Sequence, residues 1–458
     1  MKILIPLLAL VQLSSADASI VGIMDSGTDI SHKDLVAKTW VNAKEKAGSL
    51  VDLDGDGLPG DINGWDFTEN TAKVFNDKYN NLITADVKTF YAYYAKYELG
   101  LLTQSSPELA WLKTHTKDQS LMNKVNFVGG YIHGTHVAGI SADKNSSVKL
   151  LSMKIIPTVF QESLVPNVLK IEEKDGNESA AKTVEEFTKE VLDSATASVT
   201  EMVGLHGILD FHKVDVVNQS FGIGFNDAVN FVNAAFVEEV KREPTKEELA
   251  TIVKLYFDQL LVDGPRMFNA APNTLFTIAA GNDSSNNDLY PDYPADIQAD
   301  NKIVVAATMG YKSLAEFSNY GATKVDVAAP GVAINSTAPT HVYLPLSGTS
   351  QATPYVTNII AAMKDLNPAL SARDLKSIVL GTVDVKSWLK GKVKTSGIVN
   401  KARALKAAEL AKSQTVDLAI SNARTAVSDV PVEKSFVNKP MGLGFKFKPV
   451  RPSLVIKK

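Results

Sequence analysis

Three short motifs carry residue types able to do nucleophilic chemistry, in the order carboxylate, imidazole, hydroxyl. The apolar run Ile20-Val-Gly-Ile-Met ends in Asp25-Ser-Gly27, where a carboxylate at a strand end could be buried and orient a base. Taken alone, Asp25 reads as readily as a turn cap. His133-Gly-Thr-His136-Val-Ala-Gly139 sets two histidines three apart at the start of a small-residue helix. One would move a proton, and the other, deeper in the helix, would be packed and hydrogen-bonded. Zinc is the rival use of His133 and His136, but no His-Glu-x-x-His pattern is present and no third ligand stands nearby. Ser347-Gly-Thr-Ser350-Gln-Ala-Thr-Pro354 places a serine at the mouth of a helical run. Free N–H groups and the positive end of a helix dipole favour a developing oxyanion there; the plain alternative is a helix cap.

Chain order narrows the architecture. An α/β-hydrolase arrangement needs its histidine after the serine, yet all seven histidines precede Ser350. The order histidine, aspartate, serine belongs to antiparallel barrels, which conflicts with the pattern here. Apolar β-rich runs at 19–24, 150–155, 214–218, 274–279 and 303–306 alternate with glycine turns and helical stretches. That alternation predicts an α/β fold, a mostly parallel sheet with helices on both faces. Ligands bind such sheets at the carboxyl ends of the strands, where the three motifs fall.

The order Asp25, His133, Ser350 is that of the subtilisins, and the sequence resembles the subtilisin-like serine proteases, or subtilases. Four further segments carry the resemblance: Ser31-His32-Lys33-Asp34-Leu35, Val217-Asn-Gln-Ser-Phe-Gly222, Ala279-Ala-Gly-Asn282, and Phe317 to Gly331. The resemblance implies a three-layer fold and an Asp25-His133-Ser350 triad. It implies an oxyanion hole using the Asn282 amide with the Ser350 N–H. It also implies substrate pairing along Ser220, Phe221 and Gly222, with Ala280 and Gly281 lining the same cleft. The partner would be a polypeptide substrate, and the chemistry would need no cofactor.

Composition agrees. With 45% hydrophobic and 21% charged residues, the 458-residue chain can bury a core and is not disordered. Its 47 basic and 51 acidic residues leave a net charge of -4, a balance that implies no polyelectrolyte partner such as nucleic acid. The absence of cysteine excludes a thiol nucleophile, thiolate metal sites and disulfides. Residues 1–18 read as a secretory signal peptide: Lys2, an apolar run over 3–13, then Ala16-Asp17-Ala18. No later run is long and apolar enough to span a bilayer, so a secreted or periplasmic protein without a membrane span is expected.

The expected organisation is a signal peptide at 1–18, a peptidase domain over 19–411 and a C-terminal extension over 412–458. Long helical surface insertions are expected at about 41–126, 157–213 and 226–272. Thr183-Val-Glu-Glu186 and Thr245-Lys-Glu-Glu248 predict two helix starts. The extension ends in a proline- and lysine-containing string from Lys439 that reads as an extended arm. Several features depart from the family. Asp25 follows the signal run so closely that no pro-domain fits between them, and Gln351 and Tyr355 replace the usual methionine and histidine. Asp52, Asp54, Asp56 and Asp61 alternate like the start of a calcium loop, but Asn63 stands where the closing glutamate belongs. Calcium there competes with a solvated acidic turn. Two functions from different classes remain: a secreted serine endopeptidase, and a catalytically silent or restricted binding protein on the same fold.

Overall fold

In a computed structural model the described residues are 18–158, 181–432 and 447–449. All five expected runs form strands: Ile20–Asp25, Lys149–Lys154, Val216–Gln219, Leu275–Ala279 and Lys302–Met309. Each is almost wholly buried, because helices cover both faces of the sheet. The spatial order across the sheet is Val327–Pro330, Lys302–Met309, Leu275–Ala279, Val216–Gln219, Ile20–Asp25, Lys149–Lys154, and these neighbours run parallel. Asp384–Val385 adds an antiparallel pair at one edge.

Successive side chains of a strand face opposite ways, and the core divides accordingly. Val21, Ile23 and Val216 pack with Val137, Val356 and Ile360 of the helices His133–Ser141 and Thr349–Leu366. Met24 and Val217 pack instead with Val199, Phe236 and Phe257 of the helices Val184–Phe211, Phe225–Val240 and Lys246–Asp263. The result is three layers, helix, sheet and helix, as the sequence led us to expect. Thr183 and Thr245 both cap their helices through reciprocal bonds with Glu186 and Glu248.

The stretch 41–126 is not helical throughout. Gly64–Asp66 joins the sheet as a parallel edge strand beside Lys149–Lys154. A Cβ on Gly64 would lie 1.9 Å from the Ser152 carbonyl, and its φ is +112°, so only glycine allows this approach. Three residues were too few to announce a strand by periodicity. Beyond it, the helices Ala85–Glu98, Pro107–His115 and Gln119–Tyr131 build a third core around Phe90, Tyr91, Leu109, Leu112 and Val125. After residue 411 the helix Val416–Ala426 lays Ala419 and Ala423 against the body of the protein. Most of the expected signal peptide and the segments 159–180, 433–446 and 450–458 lie outside the described residues. No helix among the described residues is long and apolar enough to cross a membrane.

Candidate active site

Asp25 ends its strand fully buried, and its Oδ1 accepts the Ser26 N–H at 2.7 Å. The same oxygen lies 2.7 Å from Nδ1 of His133, 108 residues on in sequence. The pairing depends on glycine at 134. A Cβ there would stand 2.3 Å from the Gly27 carbonyl and 3.1 Å from Asp25 Cβ, so a side chain would push the helix His133–Ser141 off the strand end. The Gly134 N–H is also bonded, to Ser26 Oγ at 3.1 Å. With Nδ1 held, Nε2 of His133 is the ring atom left to handle a proton, and it is buried without a hydrogen-bond partner among the described residues.

His136 takes the role the sequence assigned to the deeper histidine. Its Nε2 bonds the Leu344 carbonyl at 2.9 Å, and burial pushes its pKa down to about 3, so it is neutral. No potential metal-holding group among the described residues includes His133 or His136.

Ser350 is the second residue of the helix Thr349–Leu366. Its Oγ donates to the Ser220 carbonyl at 3.0 Å, and Ser220 Oγ returns a bond to the Ser350 carbonyl at 3.2 Å. The hydroxyl is thus turned toward the strand rather than toward His133. Ser220, Phe221 and Gly222 follow the strand Val216–Gln219, and Ala280 and Gly281 follow its neighbour Leu275–Ala279. Phe221 is buried in the core and anchors the first of these loops.

Asn282 is oriented by residues the sequence reading did not single out. Its Oδ1 accepts both the backbone N–H and the hydroxyl of Thr349, each at 2.9 Å. That fixes which end of the amide is oxygen and turns Nδ2 into the cleft, where it donates to the Pro449 carbonyl at 3.3 Å. Gly281, at φ +114°, makes the turn, and a Cβ there would strike Asn319 Nδ2 at 2.3 Å. Asn319 Oδ1 accepts the N–H groups of Asp283 and Ser285 and so holds the loop after Asn282.

A cavity beside the site is lined by His133, Gln351, Ser347, Glu98, Tyr94 and Pro449, among others. Glu98 comes from the stretch 41–126 and accepts the Ser347 hydroxyl at 2.5 Å. Burial pushes its carboxyl up to about 7. Both polar atoms of the Gln351 side chain are buried without partners among the described residues. Glu98 had no sequence signal, since it sits in an ordinary helical run.

The acidic loop is largely satisfied by its own chain. Asp52 accepts the N–H groups of Gly55 and Gly57, and Glu45 accepts those of Leu53, Asp54 and Gly60. Glu45, Asp52 and Asp54 converge as one potential cation set, and Asp54, Asp56 and His212 as another. Asp61 lies beside them on Asn42 at 2.8 Å, and burial, with the charges of Asp56, Asp54 and Glu45, pushes it up to about 7.

The chain matches the subtilase family over residues 16–410. Thermitase of Thermoactinomyces vulgaris is 39% identical over 120 residues, covering 25% of this chain and 40% of that protein. The chain therefore spans less than half of thermitase. Subtilisin DY of Bacillus licheniformis is 28% identical over 276 residues, 59% of this chain and 78% of that one. Among solved structures, a cold adapted subtilisin-like serine proteinase aligns with a TM-score of 0.40 and 16% identity, over 84% of this chain and 88% of its own. The A-subunit of the AB5 toxin from E. coli aligns with a TM-score of 0.43 and 20% identity, over 84% of this chain and 91% of its own. Since the family match takes in most of the chain and every motif described above, the chain belongs to the subtilase family.

Proposed function

We propose that this chain is an exported serine endopeptidase that hydrolyses polypeptides through Asp25, His133 and Ser350. The observation that carries the reading is the buried Asp25–His133 bond, which leaves Nε2 as the ring atom facing the chemistry. Ser350 Oγ turns from the Ser220 carbonyl toward Nε2, gives up its proton and attacks the substrate carbonyl. Asp25 stabilises the imidazolium so formed, and His133 then hands the proton to the leaving amine as the C–N bond breaks. Water repeats the sequence on the acyl-enzyme. The oxyanion is met by Asn282 Nδ2 and the Ser350 N–H, donors placed before charge develops. The substrate lies along Ser220, Phe221 and Gly222 on one side and Ala280 and Gly281 on the other, as an added strand.

For calcium we propose a structural role only, at Asp52, Asp54, Asp56 and Asp61, where like charges have gathered. Export rests on the signal-like run at 1–18.

One observation favours the second reading, a silent or restricted binding protein: Ser350 is bonded to Ser220 while the chain's own Pro449 carbonyl occupies Asn282. Casein hydrolysis by the purified protein separates the two. The peptidase reading expects cleavage that is lost in Ser350→Ala and in His133→Ala at unchanged circular dichroism. Hydrolysis retained in either variant overturns the assignment.

A further inference from the structure

Next to Asn282 the fold gathers three carboxylates from three separate elements. Asp283 follows Asn282 directly. Asp292 lies in the short strand Asp292–Tyr293, which pairs antiparallel with Ile223–Gly224, the continuation of Ser220-Phe221-Gly222. Asp227 sits in the first turn of the helix Phe225–Val240. Their Oδ2 atoms lie 2.9, 3.6 and 3.8 Å, for Asp283, Asp292 and Asp227, from the point that a Cβ on Gly224 would occupy. Gly224 has φ -84°, which any residue adopts, so glycine serves space here rather than backbone shape. A Cβ on Gly281 would likewise meet Asp292 Oδ2 at 2.9 Å. Exposure rises across the corner, from Asp292 at 1% to the Asp283 side chain at 12% and that of Asp227 at 41%. The corner has a floor, a wall and a rim, all acidic.

A cationic group is already seated on it. Lys448 Nζ lies 2.5 Å from Asp283 Oδ1 and 3.6 Å from Asp227 Oδ1. The residues on either side of Lys448 are held as well. The Phe447 carbonyl accepts the Tyr94 hydroxyl at 3.3 Å, and its ring packs against Phe90, Tyr91 and Tyr94. The Pro449 carbonyl accepts Asn282 Nδ2 at 3.3 Å. A carbonyl on Asn282 is what a polypeptide being cut would present, and the lysine stands one residue before it.

We infer that Asp227, Asp283 and Asp292 form a subsite for a basic side chain. The protein then cuts polypeptides that carry Lys or Arg within the two residues preceding the scissile bond, and its own Lys448 holds the subsite when substrate is absent. This inference rests on the peptidase reading above and names its substrate class. An ammonium or guanidinium is the group that three converging carboxylates stabilise through charge-assisted hydrogen bonds, and an acidic side chain in the same place is repelled. Phe447-Lys448-Pro449 competes with substrate as a tethered occupant.

Two measurements on the full-length chain test this separately from the peptidase reading. In the first, sites cut in denatured casein are mapped by mass spectrometry, and quenched peptides differing only in Lys, Arg, Gln or Leu at those two positions are compared by kcat/KM. A preference of roughly tenfold or more for Lys or Arg is expected, the size of one charge-assisted bond. The preference should collapse in Asp227→Asn/Asp283→Asn. Efficient cleavage with no basic preference overturns the subsite and leaves the peptidase standing. The second measurement needs no turnover: fluorescence anisotropy of a labelled Phe-Lys-Pro peptide and its Phe-Gln-Pro counterpart on Ser350→Ala. Tighter binding of the lysine peptide, weakening as salt is raised, supports the subsite even if the protein cleaves nothing. Equal binding of the two overturns it.

Discussion

Asn282 and Thr349 are joined twice, through the backbone N–H and the hydroxyl of Thr349, both on Asn282 Oδ1 at 2.9 Å. The residue beside the candidate nucleophile therefore orients the amide that would stabilise the oxyanion. Two substitutions follow from this. Asn282→Ala is expected to lower kcat by roughly 10²–10³ with little change in KM, the general size of effect for one oxyanion-hole donor. Thr349→Val removes one of the two clamps and should lower kcat by about tenfold, the equivalent of ~1.4 kcal/mol. Unchanged kcat in both variants would contradict the assigned role of Asn282.

Glycine at 134 lets the histidine helix touch the strand end. Gly134→Ala puts a methyl 2.3 Å from the Gly27 carbonyl. The cost is expected to be about 1–3 kcal/mol of stability, with a larger loss of activity because His133 moves relative to Asp25. Urea unfolding and peptide hydrolysis measured side by side check this. Lost stability with full activity would show that the helix position is not critical.

Glu98 links the third core to the strand leading to Ser350. Burial raises its carboxyl from 4.5 to about 7 in the folded protein. Between those values the folded state keeps a proton that the unfolded chain has released, so stability falls as pH rises through the window and levels off above it. Glu98→Gln should abolish this contribution. Urea unfolding of the two proteins should show the wild type losing ground to the variant from the lower to the upper end of the window. Parallel profiles would contradict a half-buried Glu98 that keeps its proton through this window in the folded state.

Calcium binding at the acidic loop would neutralise the charge gathered around Asp61. Millimolar calcium is then expected to raise the melting temperature by a few degrees, and Asp54→Asn to remove most of the gain. A melting temperature indifferent to both calcium and chelator would leave the loop as a self-bonded acidic turn.

The central strands were legible because they obey short-range rules, whereas the three motif residues stood out only through their order along the chain and the resemblance it carries. A continuous apolar run ending in Asp25 or Asn218 is a buried parallel strand with a polar residue at the cleft end, and Thr183-Val-Glu-Glu186 is a capping box whatever surrounds it. What escaped depends on distant pairing. Gly64–Asp66 is a strand only because Ser152 lies beside it, and Thr349 matters only because Asn282 reaches it from 67 residues away. Glu98 and the acidic corner share that origin. Asp227, Asp283 and Asp292 are unremarkable in sequence and meet only where a helix, a loop and a two-residue strand converge on Gly224.

The central claim is that Ser350 is a nucleophile activated by His133. Its most direct test is labelling of the purified protein with a fluorophosphonate, followed by mass spectrometry of the modified peptide. The account expects one adduct, on Ser350, formed far more slowly in His133→Ala. A folded protein that takes no label at Ser350, with or without calcium, or that labels equally fast without His133, would contradict it.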